Sequence, residues 1–464
     1  MLPTTLYLPD LLYAEGRAHS GIGLLVDAEG HVQGLASAPP EGAKLVRLTG
    51  KALLPGLANA HSHTFQRLFR GRAEGRIAGG DTFWTWREQM YRAAAFVSPE
   101  DLYDVARAAF LEMVLSGITV VGEFHYLHRD PQGQPYSDPN LLSHQVIAAA
   151  QSVGLRINLL RSAYFRAGFQ RDPHLGQIRF YETLDDYLNN LAVLRSAYSK
   201  TSGITVGAAP HSIRAVPLES LRAIAAVSDA MPLHTHISEQ VSENSACQAE
   251  YGATPITLLA ENGLLTPRTT LIHAIHLTET EFAAVAKSGA SICSCPTTER
   301  NLGDGIFPAD TAMRLGIPIA FGTDSQAQIE ILEDARQLEY HLRLRDQQRG
   351  ILDGSAREHW VTREAIGPAF LHAASHNGYA ALGLQGGTLA LGEPADFFTI
   401  DCNDLSILGI DPQSLAAQTV FALQRTAIRD VAIQGRLILE DGHHTQEEAI
   451  RSRYRQVQHR YATQ

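Results

Sequence analysis

Leu53-Leu-Pro-Gly-Leu-Ala-Asn-Ala-His-Ser-His63 is an apolar run interrupted only by Asn59 that ends on two histidines spaced H-x-H. Short apolar runs of this kind read as buried strands, here Leu53–Ala60. Residues two apart on a strand share a face, so His61 and His63 can reach one metal ion from the strand's C-terminal end. Alone, the pair is equally compatible with surface or core histidines.

Working outward, seven more β-prone runs follow: Ile118–Phe124, Leu155–Arg161, Ile204–Ala209, Met231–Ile237, Thr270–Ala274, Ala290–Cys295 and Ile317–Phe321. Helix-like stretches separate them, among them Pro99–Ser116, Ser143–Val153, Leu184–Tyr198 and Leu218–Ala226. Eight alternating units predict a closed (β/α)8 barrel of the TIM type, with a doubly wound open sheet as the alternative. Upstream, Gly23–Asp27, a turn at Glu29-Gly30 and His31–Gly34 read as a hairpin. Past a helical region at Glu364–Gly378, Gly387–Gly392, Ala395–Asp401 and Asp430–Gly435 read as strands, and Glu447–Tyr461 as a charged surface helix. The expected layout is therefore a β-sandwich built from both chain ends (residues 1–55 and 381–464, the latter with the terminal helix) around a barrel spanning residues 56–380.

Composition narrows the function classes. The 464 residues carry 38 Lys+Arg against 49 Asp+Glu, a net charge of −11, with no long basic cluster. Nucleic acid and anionic membrane are disfavoured as partners. No apolar run reaches the roughly 18–20 residues of a membrane span, and the N-terminus lacks a basic start followed by a long apolar stretch. Cys247, Cys293, Cys295 and Cys402 are too few and too irregular for a disulfide framework, so a reduced, cytoplasmic protein is expected.

Three more strand ends carry metal-type residues. His234-Thr-His236 closes the fifth run and is followed by Glu239, His273 closes the sixth, and Asp324 follows the eighth. Barrel enzymes build their sites at this end of the strands. Several imidazoles and one carboxylate suit a borderline-soft divalent ion such as zinc.

These motifs, with Gly322-Thr-Asp-Ser325 and the late Gly387-x4-Gly392-x2-Ala395-Asp396 segment, resemble the amidohydrolase superfamily in its metal-dependent deaminase branch. Ala60–Arg67, Gly122–His128, Ala209–Arg214 and His236–Gln240 resemble more narrowly the iminohydrolases of bacterial histidine degradation, which act on the dicarboxylate N-formimino-L-glutamate. The resemblance implies a barrel with a two-ended β-sandwich, metal ligands at His61, His63, His236 and Asp324, and proton-transfer roles for Glu239 and His273. Superfamily members with two metals use a lysine on the fourth strand. Ala208–Ile213 contains none, so one zinc per chain is expected.

The implied reaction is hydrolysis of the formimino group, leaving an N-formyl group and ammonia. Glu239 would carry a proton from water to the departing nitrogen, or else only hold His236 in its tautomer. His273 would orient the nucleophile and stabilise the adduct, and Asp324 would hydrogen-bond the water. Two substrate carboxylates call for forked donors, which points to Arg214 and to Arg87 in the long loop Gly71–Gln89. Gln66, Tyr126 and His211 match the family's substrate contacts, although each of these five could be an ordinary loop residue. Trp84 and Trp86 are lid or packing residues, and His234 faces inward beside His236. A homodimer is what the resemblance implies. The rival activities are deamination of a purine or other heterocyclic amidine, which needs an aromatic slot, and a scaffold role without catalysis.

Overall fold

The run at Leu53 is two strands, not one. Lys44–Pro55 finishes in a mixed sheet, and Leu57–Ser62 opens the barrel. Gly56 lies between them, where only glycine fits: a Cβ there would lie 2.1 Å from Thr119 Oγ1. In this computed structural model residues 3–74, 83–228, 231–352 and 366–463 are described. Part of the expected long loop (residues 75–82), the Trp84 side chain and the first two residues of the helical region at 364 lie outside them.

The barrel strands are Leu57–Ser62, Ile118–His125, Arg156–Ala163, Ile204–Pro210, Leu233–Ile237, Thr269–His273, Ser291–Ser294 and Ile319–Phe321, in that spatial order. All neighbouring pairs are parallel. Ile118–His125 and Arg156–Ala163 are buried along their whole length, as parallel strands covered on both faces must be. A parallel bridge between Ser62 and Asp324 joins the eighth strand's end to the first. Gly322 permits this approach, since a Cβ there would meet His61 Cβ at 2.6 Å and Cys295 Sγ at 3.0 Å.

Helices form the outer layer. Pro99–Val114 starts with a capping box in which Ser98 and Asp101 exchange side-chain and backbone bonds. Leu184–Tyr198 begins at Thr183, whose hydroxyl accepts from the Asp186 N–H. The region near 366 is helical over Ile366–His372, passes through a π-turn at Ala373–Asn377 and ends in Gly378–Ala381.

The two chain ends build the β unit together, hydrogen-bonded as one mixed eight-stranded sheet. Lys44–Pro55 is its pivot, pairing parallel with Thr5–Ala14 and antiparallel with Phe397–Asp401. The hairpin is Gly23–Val26 with Val32–Ala36. The expected strand at Gly387–Gly392 is instead a turn. The Glu393 carboxylate accepts from the Thr388 N–H, the Thr388 hydroxyl and the Ala390 N–H, and Leu389 has φ +58°. Local side-chain bonds thus outcompete ladder pairing.

Asp396, fully buried, ties sheet to barrel. Its carboxylate accepts from Arg156, from the Tyr379 hydroxyl at 2.9 Å and from the Gln434 N–H at 2.7 Å, and its carbonyl from the Gly56 N–H at 2.9 Å. The four cysteines are free, and among the described residues no helix is long and apolar enough to cross a membrane.

Candidate active site

Three strand ends converge on one point. His61 and His63 come from the first, His236 from the fifth and Asp324 from just past the eighth, and all four are buried. Their ligand-type atoms lie within 4.8 Å of one another. Asp324 Oδ1 is 3.4 Å from His61 Nε2 and 3.3 Å from His63 Nε2, while His63 Nε2 and His236 Nε2 are 3.4 Å apart.

For His63 and His236, the ring nitrogens facing away from this point are committed. His63 Nδ1 bonds the Phe124 carbonyl at 2.8 Å and His236 Nδ1 bonds the His211 carbonyl at 2.9 Å. A carbonyl only accepts, so each Nδ1 carries the proton and each Nε2 presents its lone pair inward. Both His61 nitrogens are buried, and among the described residues neither has a hydrogen-bond partner within good geometry, Nε2 lying 3.4 Å from Asp324 Oδ1. Burial holds His61 near pKa 3 and keeps His63 and His236 below the usual imidazole range. Neutral, inward-facing imidazoles beside a carboxylate fit a divalent metal ion, which would satisfy the orphaned His61 nitrogen.

His273 and Glu239 stand beside this cluster. His273 Nε2 lies 3.8 Å from Glu239 Oε1 and 3.7 Å from Asp324 Oδ2. Burial alone would lower the His273 pKa. The Glu239 charge, the hydrogen bond to Glu299 and the Asp324 charge outweigh it and raise the pKa well above the ordinary value. The backbone here is strained: Ser238, His273, Ala274, Asp324 and Gln326 all have φ between +44° and +71°. Non-glycine residues adopt this region only where their surroundings hold them, and such positions gather at functional sites.

A cleft opens from the cluster, and Gln66, Arg87, Tyr126, His211 and Arg214 all line it. Gln66 Nε2 donates to the Tyr126 hydroxyl at 2.8 Å, and among the described residues the buried Gln66 Oε1 has no partner. The His211 ring stacks on His236 at 4.7 Å between centroids. Arg214 is buried, and among the described residues its Nε has no hydrogen-bond partner. Arg87 belongs to the helix Phe83–Phe96, not to a loop as expected, and donates to the Tyr164 hydroxyl at 3.1 Å. Trp86 lines the cleft and packs edge-on against Phe69. His234 sits apart from the donor cluster, with Nε2 on the Ala381 carbonyl at 2.8 Å.

The sequence matches the amidohydrolase family over residues 52–438. The chain belongs to the amidohydrolase family. It is 40% identical to formimidoylglutamate deiminase of Pseudomonas aeruginosa, covering 88% of this chain and 89% of that protein. Its fold is similar to a crystal structure of an amidohydrolase from Brucella melitensis, at TM-score 0.90 and 30% identity over 99% of this chain and 100% of the other. An adenosine deaminase from Xanthomonas campestris with bound zinc shares the fold at TM-score 0.84 and 22% identity, covering 100% and 99% of the two chains.

This amidohydrolase, a metal-dependent C–N hydrolase, also holds residues that the sequence reading did not single out. Glu123 accepts from the Ser62 hydroxyl at 2.6 Å and from the Thr64 N–H and hydroxyl at 2.7 Å each, which anchors the turn carrying His63. Glu243, buried four residues past Glu239, accepts the Glu239 N–H at 3.2 Å. Burial pushes Glu243 up to about 7, even with the Arg214 charge nearby. Tyr164, on the cleft wall, accepts from Arg87 at 3.1 Å and from Gln177 Nε2 at 2.7 Å. The only available signal was an acidic residue inside an otherwise apolar run, as in Val121-Gly-Glu-Phe124.

Proposed function

We propose that this amidohydrolase converts N-formimino-L-glutamate and water to N-formyl-L-glutamate and ammonia, with one zinc ion per chain. The observation that carries the reading is one cleft that joins a His/His/His/Asp cluster to two guanidiniums, Arg87 and Arg214. The cluster suits hydrolysis of a C=N bond, and the arginines suit a dicarboxylate. The similarity to formimidoylglutamate deiminase supports the same substrate.

His61, His63, His236 and Asp324 would hold the ion, and three imidazoles with one carboxylate favour zinc over a harder cation. When bound, such an ion lowers the pKa of water to near 7 and supplies a nucleophile at neutral pH. Arg87 and Arg214 bind the two carboxylates, which aims the formimino carbon at the cluster. Glu239 takes the proton from the attacking water and delivers it to the departing nitrogen. His273 orients the water and stabilises the adduct. As the adduct's hydroxyl gives up its proton to the terminal nitrogen by the same route, the C–N bond to that nitrogen breaks, ammonia leaves, and the oxygen stays as the formyl group.

Ammonia release from the zinc-loaded protein tests this reading directly. Formiminoglutamate should be turned over, and a panel of aminopurines should not. Turnover of a purine with none of formiminoglutamate would replace this reading with a heterocyclic deaminase.

A further inference from the structure

We infer that Glu299 is the positioning residue for His273, taking its Nδ1–H and so fixing which imidazole nitrogen faces the substrate. The inference rests on the part His273 plays in the proposed reaction. Glu299 lies in the first turn of the helix Pro296–Leu302, directly behind the seventh strand, and is 1% exposed. Its carboxylate accepts from the Cys295 N–H at 2.7 Å, from the Ser294 hydroxyl at 3.1 Å and from His273 Nδ1 at 3.3 Å.

The arrangement is a straight relay of contacts. Glu299 meets Nδ1 on one edge of the ring, and Glu239 and Asp324 meet Nε2 on the other. Two bonds from the seventh strand's end fix the carboxylate, so it cannot follow the ring. The His273 backbone, at φ +71°, does not by itself determine the ring's orientation. With no acceptor behind it, the ring could turn over and present its other nitrogen to the substrate. In triad hydrolases, loss of the carboxylate behind the catalytic histidine costs activity through the wrong tautomer.

Burying a carboxylate this deeply is expensive, and an apolar side chain would cap the strand as well for fold stability alone. A polar cap serving only the helix would need just the Cys295 N–H. The third contact, to a ring whose opposite nitrogen faces Glu239, is what a purely structural role leaves unexplained.

The test uses Glu299→Met, which keeps the length and removes the acceptor, in the zinc-loaded protein. The first readout needs no substrate. In ¹⁵N-histidine-labelled protein, the His273 Nδ1–H signal, assigned through His273→Asn, should be present in wild type and lost in Glu299→Met. The second is kinetic: kcat should fall about 10–100-fold with KM within about twofold, the range of outer partners that orient an imidazole. Glu299→Met should add nothing further to His273→Asn, and Glu299→Gln, which retains an oxygen at the same place, should recover most of kcat. A persistent Nδ1–H signal, near-normal kcat or additive losses would each overturn the inference. Should Glu299→Met not fold, Glu299→Asp, with the carboxylate drawn back by one methylene, carries the same readouts. Wild type inactive on formiminoglutamate would sink the functional reading instead, and the Nδ1–H signal would still decide the role of Glu299.

Discussion

Asp324 donates its backbone N–H to the His61 carbonyl at 3.0 Å, while its side chain lies 3.4 Å from His61 Nε2. The same residue pair therefore closes the barrel and assembles the donor cluster. Fold and metal site are coupled at this seam, so a bound ion should stabilise the folded barrel by mass action. Chelation should lower Tm, and readdition of zinc should restore it. His63→Ala and Asp324→Ala should lose metal and activity together. His128→Ala, whose ring turns to the Ser162 carbonyl, should keep both. Metal analysis is expected to give one ion per chain, because the fourth strand, Ile204–Pro210, offers no lysine to bridge a second. A stoichiometry of two in active protein would refute the mononuclear site.

Glu239 stands next to the cluster without joining it, 3.8 Å from His273. If it moves the proton, Glu239→Gln should retain metal and bind substrate while turnover falls by at least about 10²–10⁴-fold. Pre-steady-state measurement separates the outcomes. Near-normal turnover, or metal lost together with activity, would reduce Glu239 to a supporting residue.

The barrel was legible because its strands are buried on both faces and read as apolar runs, four of them ending at or near a polar residue that serves the site. His61, His236, His273 and Asp324 mark those stops, so fold and candidate ligands came from one signal. The boundary at Gly56 was not legible, since it is set by two different pairing partners, Phe397–Asp401 on one side and Ile118–His125 on the other. Nor was the turn at Gly387–Gly392, where a carboxylate from Glu393 displaces a ladder. Arg87 was read as loop because its helix follows Gly- and Arg-rich sequence without an apolar stripe strong enough to announce it. The roles of Glu299 and Glu123 were not legible because the contacts that define them, to His273 and to Ser62 and Thr64, come from another strand's end.

A second buried charge pair predicts acid sensitivity away from the site. Arg161 is fully buried and donates twice to Glu182, at 2.5 and 2.9 Å. Burial alone would raise the Glu182 pKa, but the His128 and Arg161 charges and the Arg161 hydrogen bonds outweigh it and bring it down to about 2. A depressed carboxylate pKa stabilises the fold above the unfolded value, near 4.5, and that stability is lost as pH falls toward 2. The linkage amounts to about 3 kcal/mol in full, with about 2 kcal/mol lost between roughly pH 5 and pH 3. Urea unfolding of wild type should show this extra loss relative to Glu182→Gln. Parallel pH profiles for the two proteins would mean that the pair contributes nothing.

The last prediction concerns specificity. Arg214 is buried in the cleft wall, where burial would lower its pKa but the Glu243, Tyr164 and Glu239 charges raise it, so it stays a cation. Glu243 and Glu239 already face this guanidinium, and on the proposed reading a glutamate carboxylate of the substrate pairs with it as well. Removing one partner of such a pair typically costs about 3–5 kcal/mol, because the other charge is left unpaired. Arg214→Met should therefore lower kcat/KM for formiminoglutamate by two or more orders of magnitude. Glu243, already pushed up to about 7 by burial, can take a proton once Arg214 is gone, so the fold should survive. A small neutral formamidine has no carboxylate to lose, and its turnover should change far less. Equal losses on both substrates would assign Arg214 to the support of Glu239 through Glu243. Unchanged kinetics on both would remove Arg214 from substrate binding and leave Arg87 as the cation to test.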